Sequence, residues 1–289
     1  MIAERMAAAG TLAMWQTISR MPDAAAYRTM ESIFALQRAR GGKTVQRLRE
    51  TFSPIVGEAE LESTITEAFR WYGRYWAETF RLPRISSQAL SDRFRCEGCE
   101  NIEAALGAGN GAVLATLHQG NWDAGGRWVA DRWPLVAVAE VLRPRAMFER
   151  FLEHRRELGM VIEPLEKGGD VTKRCIQHVE NNRLVALLSD RDLSGKGVPV
   201  RFFGETAKMA AGPAVIAART GAPILPAVIF QRDDGTFDAL VRPPVEGPAD
   251  SSPTQIEAVT QRIADEYARF IEMEPAQWHM FQRFWPDRT

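Results

Sequence analysis

Residues 112–128, AVLATLHQGNWDAGGRW, carry the side chains of this sequence best suited to chemistry. Val113–Leu117 is an apolar run too short for a helix and rich in branched residues, the pattern of a buried strand. His118 then falls where the strand stops. Asn121 or Asp123 can cap a following helix by accepting a backbone N–H, and the glycines at 120, 125 and 126 allow a turn and close packing. A histidine and a carboxylate five residues apart thus fold towards one another. With an ordinary pKa of about 6.5, an imidazole can take a proton from a hydroxyl at neutral pH. A carboxylate on its other nitrogen fixes the tautomer and stabilises the imidazolium. Base catalysis of this kind contributes roughly 10²–10⁴-fold. The same spacing also suits a histidine satisfied at a strand end with Asp123 as a helix cap, and spacing alone does not separate the two.

The elements around this motif alternate. Leu135–Leu142, Val161–Leu165, Leu184–Leu188, Val198–Phe203, Ile224–Phe230 and Phe237–Val241 read as strands, and 144–158, 170–181, 209–220 and 253–273 as helices, with Pro144 opening the first. Such alternation predicts an α/β fold with a mostly parallel central sheet flanked by helices. Ligands of such sheets sit at the carboxyl ends of strands, where His118, Glu140 and Asp190 all fall. The N-terminal portion is helical. Residues 2–40 are interrupted at Pro22, and Ala68 with the aromatics Trp71, Tyr72, Tyr75, Trp76 and Phe80 continues a helical stripe over 58–82 that ends at Pro83. We expect a single domain over 1–289, with a helical portion at 1–83 and an α/β core at 93–289.

Composition removes several classes. There are 36 basic and 37 acidic residues, a net charge of −1, so no global field favours nucleic acid. No run of about 18 or more apolar residues predicts a membrane-spanning helix, and no secretory signal is evident. Cys96 and Cys99 form a C-x2-C pair, but the four histidines at 118, 154, 178 and 279 are too scattered to complete a zinc site, so two free thiols are expected. The glycines at 107–112 precede a strand rather than follow one, which reads as an entry turn and not a dinucleotide loop. SGKG at 194–197 lacks the rest of a nucleotide loop, though Lys196 can meet a phosphate. No G-x-S-x-G elbow or Cys–His signature offers a covalent nucleophile. His279, without a partner motif, reads as structural.

HQGNWD at 118–123 resembles the His-x4-Asp signature of the glycerolipid-type acyltransferase superfamily, in the branch of the lipid A and phosphatidylinositol mannoside acyltransferases. An ordered series extends the resemblance over most of the chain: AFRWYGRYWAETFRLP at 68–83, VAEVLRP at 138–144, FLEHRRELGM at 151–160, LLSDRDL at 187–193, VRFFGE at 200–205 and AAGPAVIAARTGAPILPAV at 210–228. The resemblance implies an acyl-CoA-dependent O-acyltransferase acting on a membrane glycolipid acceptor, a sugar hydroxyl of a phosphatidylinositol mannoside, with His118 as general base. Asp123 would orient His118, and Glu140 with Arg155, or with Arg156 one position on, would form a fork bracing the site. Asp190 falls where the family carries an acidic residue near the histidine, often the longer Glu, and Asp192 competes for that contact. Arg191 joins them as a bracing or substrate-binding residue. The 200–205 loop and the helix after it would line an acyl channel, and AQWHMFQRFWPDRT at 276–289 matches the family's aromatic terminus, with Trp278, Phe281, Phe284 and Trp285 at helical spacing. No cofactor, metal, nucleic acid or obligate protein partner is implied. Acyl-CoA and the membrane surface are, with peripheral placement on the cytoplasmic face of the plasma membrane. Met14, Trp15, Ile18 and Met21, with Arg20, Arg28, Arg38, Arg40 and Lys43 nearby, have the makings of an interfacial helix, and equally of one packed on the core. Rival readings are an acyltransferase for another glycolipid, lysophospholipid or lipid A precursor, a non-catalytic acyl-lipid carrier, and a Ser or Cys hydrolase.

Overall fold

A computed structural model of the chain describes residues 2–141, 145–166, 169–192, 195 and 197–286. Four helices open it: α1 (Ile2–Ser19), α2 (Asp23–Ala39), α3 (Lys43–Phe52) and α4 (Glu58–Arg81), then short α5 (Ser87–Ser91). The core follows as β1 (Phe94–Glu97), α6 (Glu100–Gly107), β2 (Ala112–Gly120), α7 (Trp122–Ala130), β3 (Leu135–Glu140), α8 (Arg145–Glu157), β4 (Val161–Leu165), α9 (Val171–Glu180) and β5 (Leu184–Leu188). It closes with β6 (Val198–Phe202), β7 (Glu205–Met209), α10 (Gly212–Thr220), β8 (Ile224–Gln231), β9 (Phe237–Val241) and α11 (Pro253–Met273).

Seven strands form one sheet in the order β1-β9-β8-β2-β5-β3-β4, so β2, with His118, lies at its centre. The sheet is mostly parallel, with β9 antiparallel to β8. Side chains alternate between its faces. Val113, Ala115 and Leu117 pack on one face with α3, α4, α9, α10 and α11, while Ala112 and Leu114 join α6 and α7 on the other. The α/β fold with flanking helices is therefore as the alternation implies.

Differences from expectation arise where pairing overrides local pattern. β2 runs on to Gly120, so His118 is inside the strand rather than just past it. Gly120 ends it at φ +61, where an added Cβ would lie 1.6 Å from the Ile229 carbonyl oxygen, so only glycine fits. Residues 205–209, unassigned up to the helix expected from 209, are a strand, and the helix begins at Gly212. β6 and β7 form a hairpin apart from the main sheet, turned at Phe203 and Gly204, both at positive φ as a tight hairpin turn requires. The terminal aromatics do not lie on a helix: after a 3-10 turn at Pro275–Gln277 the chain passes along β2, bridging Gln119 to Trp278. Cys96 and Cys99 are joined as a disulfide rather than left as thiols, because the turn at Gly98 brings their Cα atoms to 5.9 Å. Leu142, Pro144, Ser194 and Lys196 lie outside the described residues.

The face of α1 offered for a membrane is spent internally. Trp15 and Ile18 are 3% and 2% exposed. Trp15 stacks on Phe80 at 4.6 Å and meets Phe151 at 5.0 Å, while Met14 and Met21 pack beside them.

Candidate active site

Parallel register explains why distant residues meet. Thr116 of β2 pairs with Leu188 of β5, and two residues further on His118 stands beside Asp190. The His118 Nδ1 lies 2.6 Å from Asp190 Oδ1, and its backbone N–H donates to Oδ2 at 3.0 Å. With Nδ1 bound to a carboxylate, the proton resides there and the Nε2 lone pair is left for chemistry. Trp278, arriving on the C-terminal segment, donates its indole N–H to Asp190 Oδ2 at 2.9 Å. Burial would raise the Asp190 carboxyl, but the neighbouring imidazole and these hydrogen bonds outweigh it and hold the group below the usual carboxylate range.

Asp123 does not orient His118. It sits in the first turn of α7 facing α4 and α8, where Tyr75 donates to Oδ2 at 2.7 Å and Arg155 Nε donates to Oδ1 at 2.8 Å. Its helix is capped by Asn121, whose Oδ1 accepts from Ala124 N at 2.9 Å. Burial opposes ionisation of Asp123 as well, and the Arg155 charge more than compensates, lowering its pKa. Tyr75 is pushed well above its usual range by burial and by that carboxylate.

The expected fork between Glu140 and Arg155 is likewise replaced. Arg155 is taken by Asp123, and Glu140, at the end of β3, pairs with Arg191 at 3.0 Å. Asp192 accepts from Gly195 N at 3.1 Å, so the imidazole's carboxylate partner is Asp190. Sequence reading missed Trp278 and Tyr75 as polar partners because both lie in aromatic stripes that look like core. It also missed Glu78. That buried carboxylate accepts from Asn121 Nδ2 and Gln231 Nε2, both at 2.8 Å, and fastens the turn between His118 and Asp123 to α4 and β8. Burial raises the Glu78 pKa, only partly offset by these donors and by Arg74.

His279 is buried in an aromatic nest of Tyr72, Tyr75 and Trp122. Its backbone N–H donates to the His118 carbonyl at 2.7 Å. Its ring lies towards the Gly120 carbonyl, yet neither nitrogen reaches hydrogen-bond geometry with a protein group, and burial lowers its pKa to about 3.

His118, Asp123, Glu140, Arg155, Arg191 and Asp192 all border one cavity of about 670 Å³, of a size for a small-molecule ligand. Its walls are chiefly apolar, with contributions from α7, α9, α10 and both faces of the sheet. A hollow of about 560 Å³ between α1, α4 and α8 lies away from these residues. Among the described residues no cluster of His, Cys, Asp and Glu is arranged to hold a metal ion. The arrangement is suited to withdrawing a proton from a hydroxyl beside an apolar chain.

Known proteins share this sequence along nearly its whole length. The family profile described as bacterial lipid A biosynthesis acyltransferase matches residues 5–287. A phosphatidylinositol mannoside acyltransferase of Mycolicibacterium smegmatis is 35% identical over 281 residues, covering 96% of this chain and 90% of the relative. One of Mycobacterium tuberculosis is 35% identical over 279 residues, covering 94% and 86% respectively.

Proposed function

Given that the chain belongs to the bacterial lipid A biosynthesis acyltransferase family and is an acyltransferase, we propose that it moves a long acyl chain from acyl-CoA to a sugar hydroxyl of a phosphatidylinositol mannoside. One observation carries the reading: a histidine whose Nδ1 is committed to a buried carboxylate stands at the wall of a largely apolar cavity. The acceptor hydroxyl gives its proton to His118 Nε2 as its oxygen attacks the thioester carbonyl. Asp190 stabilises the imidazolium. The C–S bond then breaks, and the departing thiolate takes the proton from His118, leaving an ester and free coenzyme A. No acyl-enzyme is formed. Fixing both substrates side by side supplies much of the rate.

Purified protein is incubated with acyl-CoA and a panel of mannosylated and non-mannosylated phosphoinositides, a lysophospholipid and a lipid A precursor. The expected result is ester formation on the mannosylated members, and loss of it in His118→Ala while acyl-CoA binding persists. Transfer only to another panel member overturns the acceptor, and an active His118→Ala overturns the base.

The same reading puts the protein peripherally on the cytoplasmic face of the plasma membrane. No helix of the described residues is long and apolar enough to cross a bilayer. On α2, Ile33 and Leu36 are 41% and 53% exposed, among the exposed cations Arg28, Arg40, Lys43 and Arg47, a combination suited to an anionic lipid surface. Between them Phe34 meets Tyr72 of the cavity wall at 5.2 Å, so this face adjoins the site. Replacing Ile33 and Leu36 together by Ser is expected to weaken flotation with anionic vesicles several-fold, with melting temperature unchanged. Undiminished flotation contradicts the role of this face.

A further inference from the structure

The two faces of the sheet meet the cavity with side chains of different size. Towards α7 the strands present Ala137 and Ala139 from β3, Ala186 from β5, Ala227 from β8 and Ala239 from β9. On the opposite face the corresponding positions are larger, among them Val138, Leu187 and Val228. Ala137 and Ala186 are register partners. Both are only partly buried, although they lie at the middle of a sheet covered by helices. A space therefore remains above them. One step further from the site it closes: Leu135, the next residue on this face of β3, is 3% exposed and its register partner Leu184 is fully buried, while Leu114, level with Ala186 on β2 and 4% exposed, walls the side.

The roof of this slot is held at a fixed height. Gly125 and Gly126 let α7 settle onto its neighbours, since a Cβ at Gly125 would come within 2.4 Å of Ile229 Cγ1 and one at Gly126 within 2.7 Å of Met160 Sδ. From His118 to Leu114 the slot follows four residues of strand, about 13 Å. The lobe on the other face has a polar mouth at Glu140, Arg191 and Asp192, suited to a head group rather than to the end of a chain.

We propose that this alanine-paved face is the gauge of acyl length, with Ala137 and Ala186 setting the room, Leu114 the side wall and Leu135 the floor. The assignment rests on the acyl-transfer reading and adds which residues select the chain. A chain that reaches the floor gains burial with every methylene, and each methylene beyond it forfeits about fourfold in affinity. Filling the paving shortens the preferred chain. Lowering the floor lengthens it.

The test is calorimetric binding of non-transferable S-alkyl-CoA thioethers, from decyl to octadecyl, to the full chain. In Ala186→Leu and in Ala137→Leu the optimum is expected to shift towards shorter chains by about three carbons, the atoms each leucine adds to the slot. In Leu135→Ala it shifts towards longer ones. Val215→Leu, which alters the lobe on the other face, leaves the optimum length where it is, whatever it does to overall affinity. Should Leu135→Ala fail to fold, the two filling variants decide by themselves. An unmoved optimum in folded Ala186→Leu and Ala137→Leu, or an optimum that moves in Val215→Leu, overturns the gauge. Thioether binding with the expected shifts, but no transfer to any acceptor, supports the gauge and overturns the catalytic reading. A wild type that binds none of the thioethers overturns both.

Discussion

Two buried carboxylates flank the reaction centre, and their surroundings give them different work. Asp190 spends its oxygens on the ring and backbone of His118 and on Trp278, so its charge acts on the imidazole proposed as the base. Asp123 spends its oxygens on Tyr75 and Arg155, so its charge ties α7 to α4 and α8. Both are held ionised against burial by their partners. The difference teaches that a carboxylate near a histidine in sequence need not be the one that pairs with it, because the strand pairing and the helix direction decide where each points.

Three experiments bear on that contrast. The largest effect is expected from Asp190→Asn, which keeps the shape but removes the charge beside His118 on which the proposed proton transfer rests. The turnover number should fall by about 10³–10⁴-fold, with KM little changed, as steady-state kinetics would register. A loss under tenfold removes the pairing from catalysis. Next comes Asp123→Asn, which strands Arg155 beside a neutral amide. Breaking such a buried pair costs about 3–5 kcal/mol, so chemical denaturation should reveal a large stability loss, with a smaller proportional loss of turnover in the protein that remains folded. The reverse ranking, with turnover hit harder than in Asp190→Asn, would give Asp123 the catalytic part.

The smallest effect is in acid, and it comes from histidines outside the pair. His154 is fully buried between α1 and α8 with its pKa lowered to about 4 by burial, and His279 is lowered to about 3. Unfolded histidine titrates near 6.5. The unfolded chain therefore binds more protons over the interval between these values, and the folded state, fully favoured above about 6.5, loses stability as pH falls towards 4 and below. His154→Phe should flatten the dependence of melting temperature on pH between 6.5 and 4. An unchanged slope would mean that His154 is not held neutral by the fold.

The sequence by itself determined the alternation of strands and helices. Val161–Leu165, Leu184–Leu188 and Phe237–Val241 were legible to the residue because each is a short, mostly apolar segment between helix-ending or polar residues. It also determined His118 as the group to examine, since histidine type and strand-end position are local properties. The partner of that histidine was only a candidate in it: the resemblance offered Asp190 against Asp192, and the motif offered Asp123. Asp190 lies 72 residues away in the chain, and only the pairing of β2 with β5 makes them neighbours. Trp278 and Glu78 were hidden for a related reason. An indole in an aromatic stripe and a glutamate on a helix look like core and surface until packing buries them against specific acceptors and donors. Likewise, Trp15 and Ile18 on α1 suited a membrane-facing stripe and a core-packed one equally, and only the docking of α1 onto α4 and α8 turned that stripe inward and left Ile33 and Leu36 outside. Local pattern fixes which face of an element is apolar. The free energy of packing the whole chain decides what that face meets.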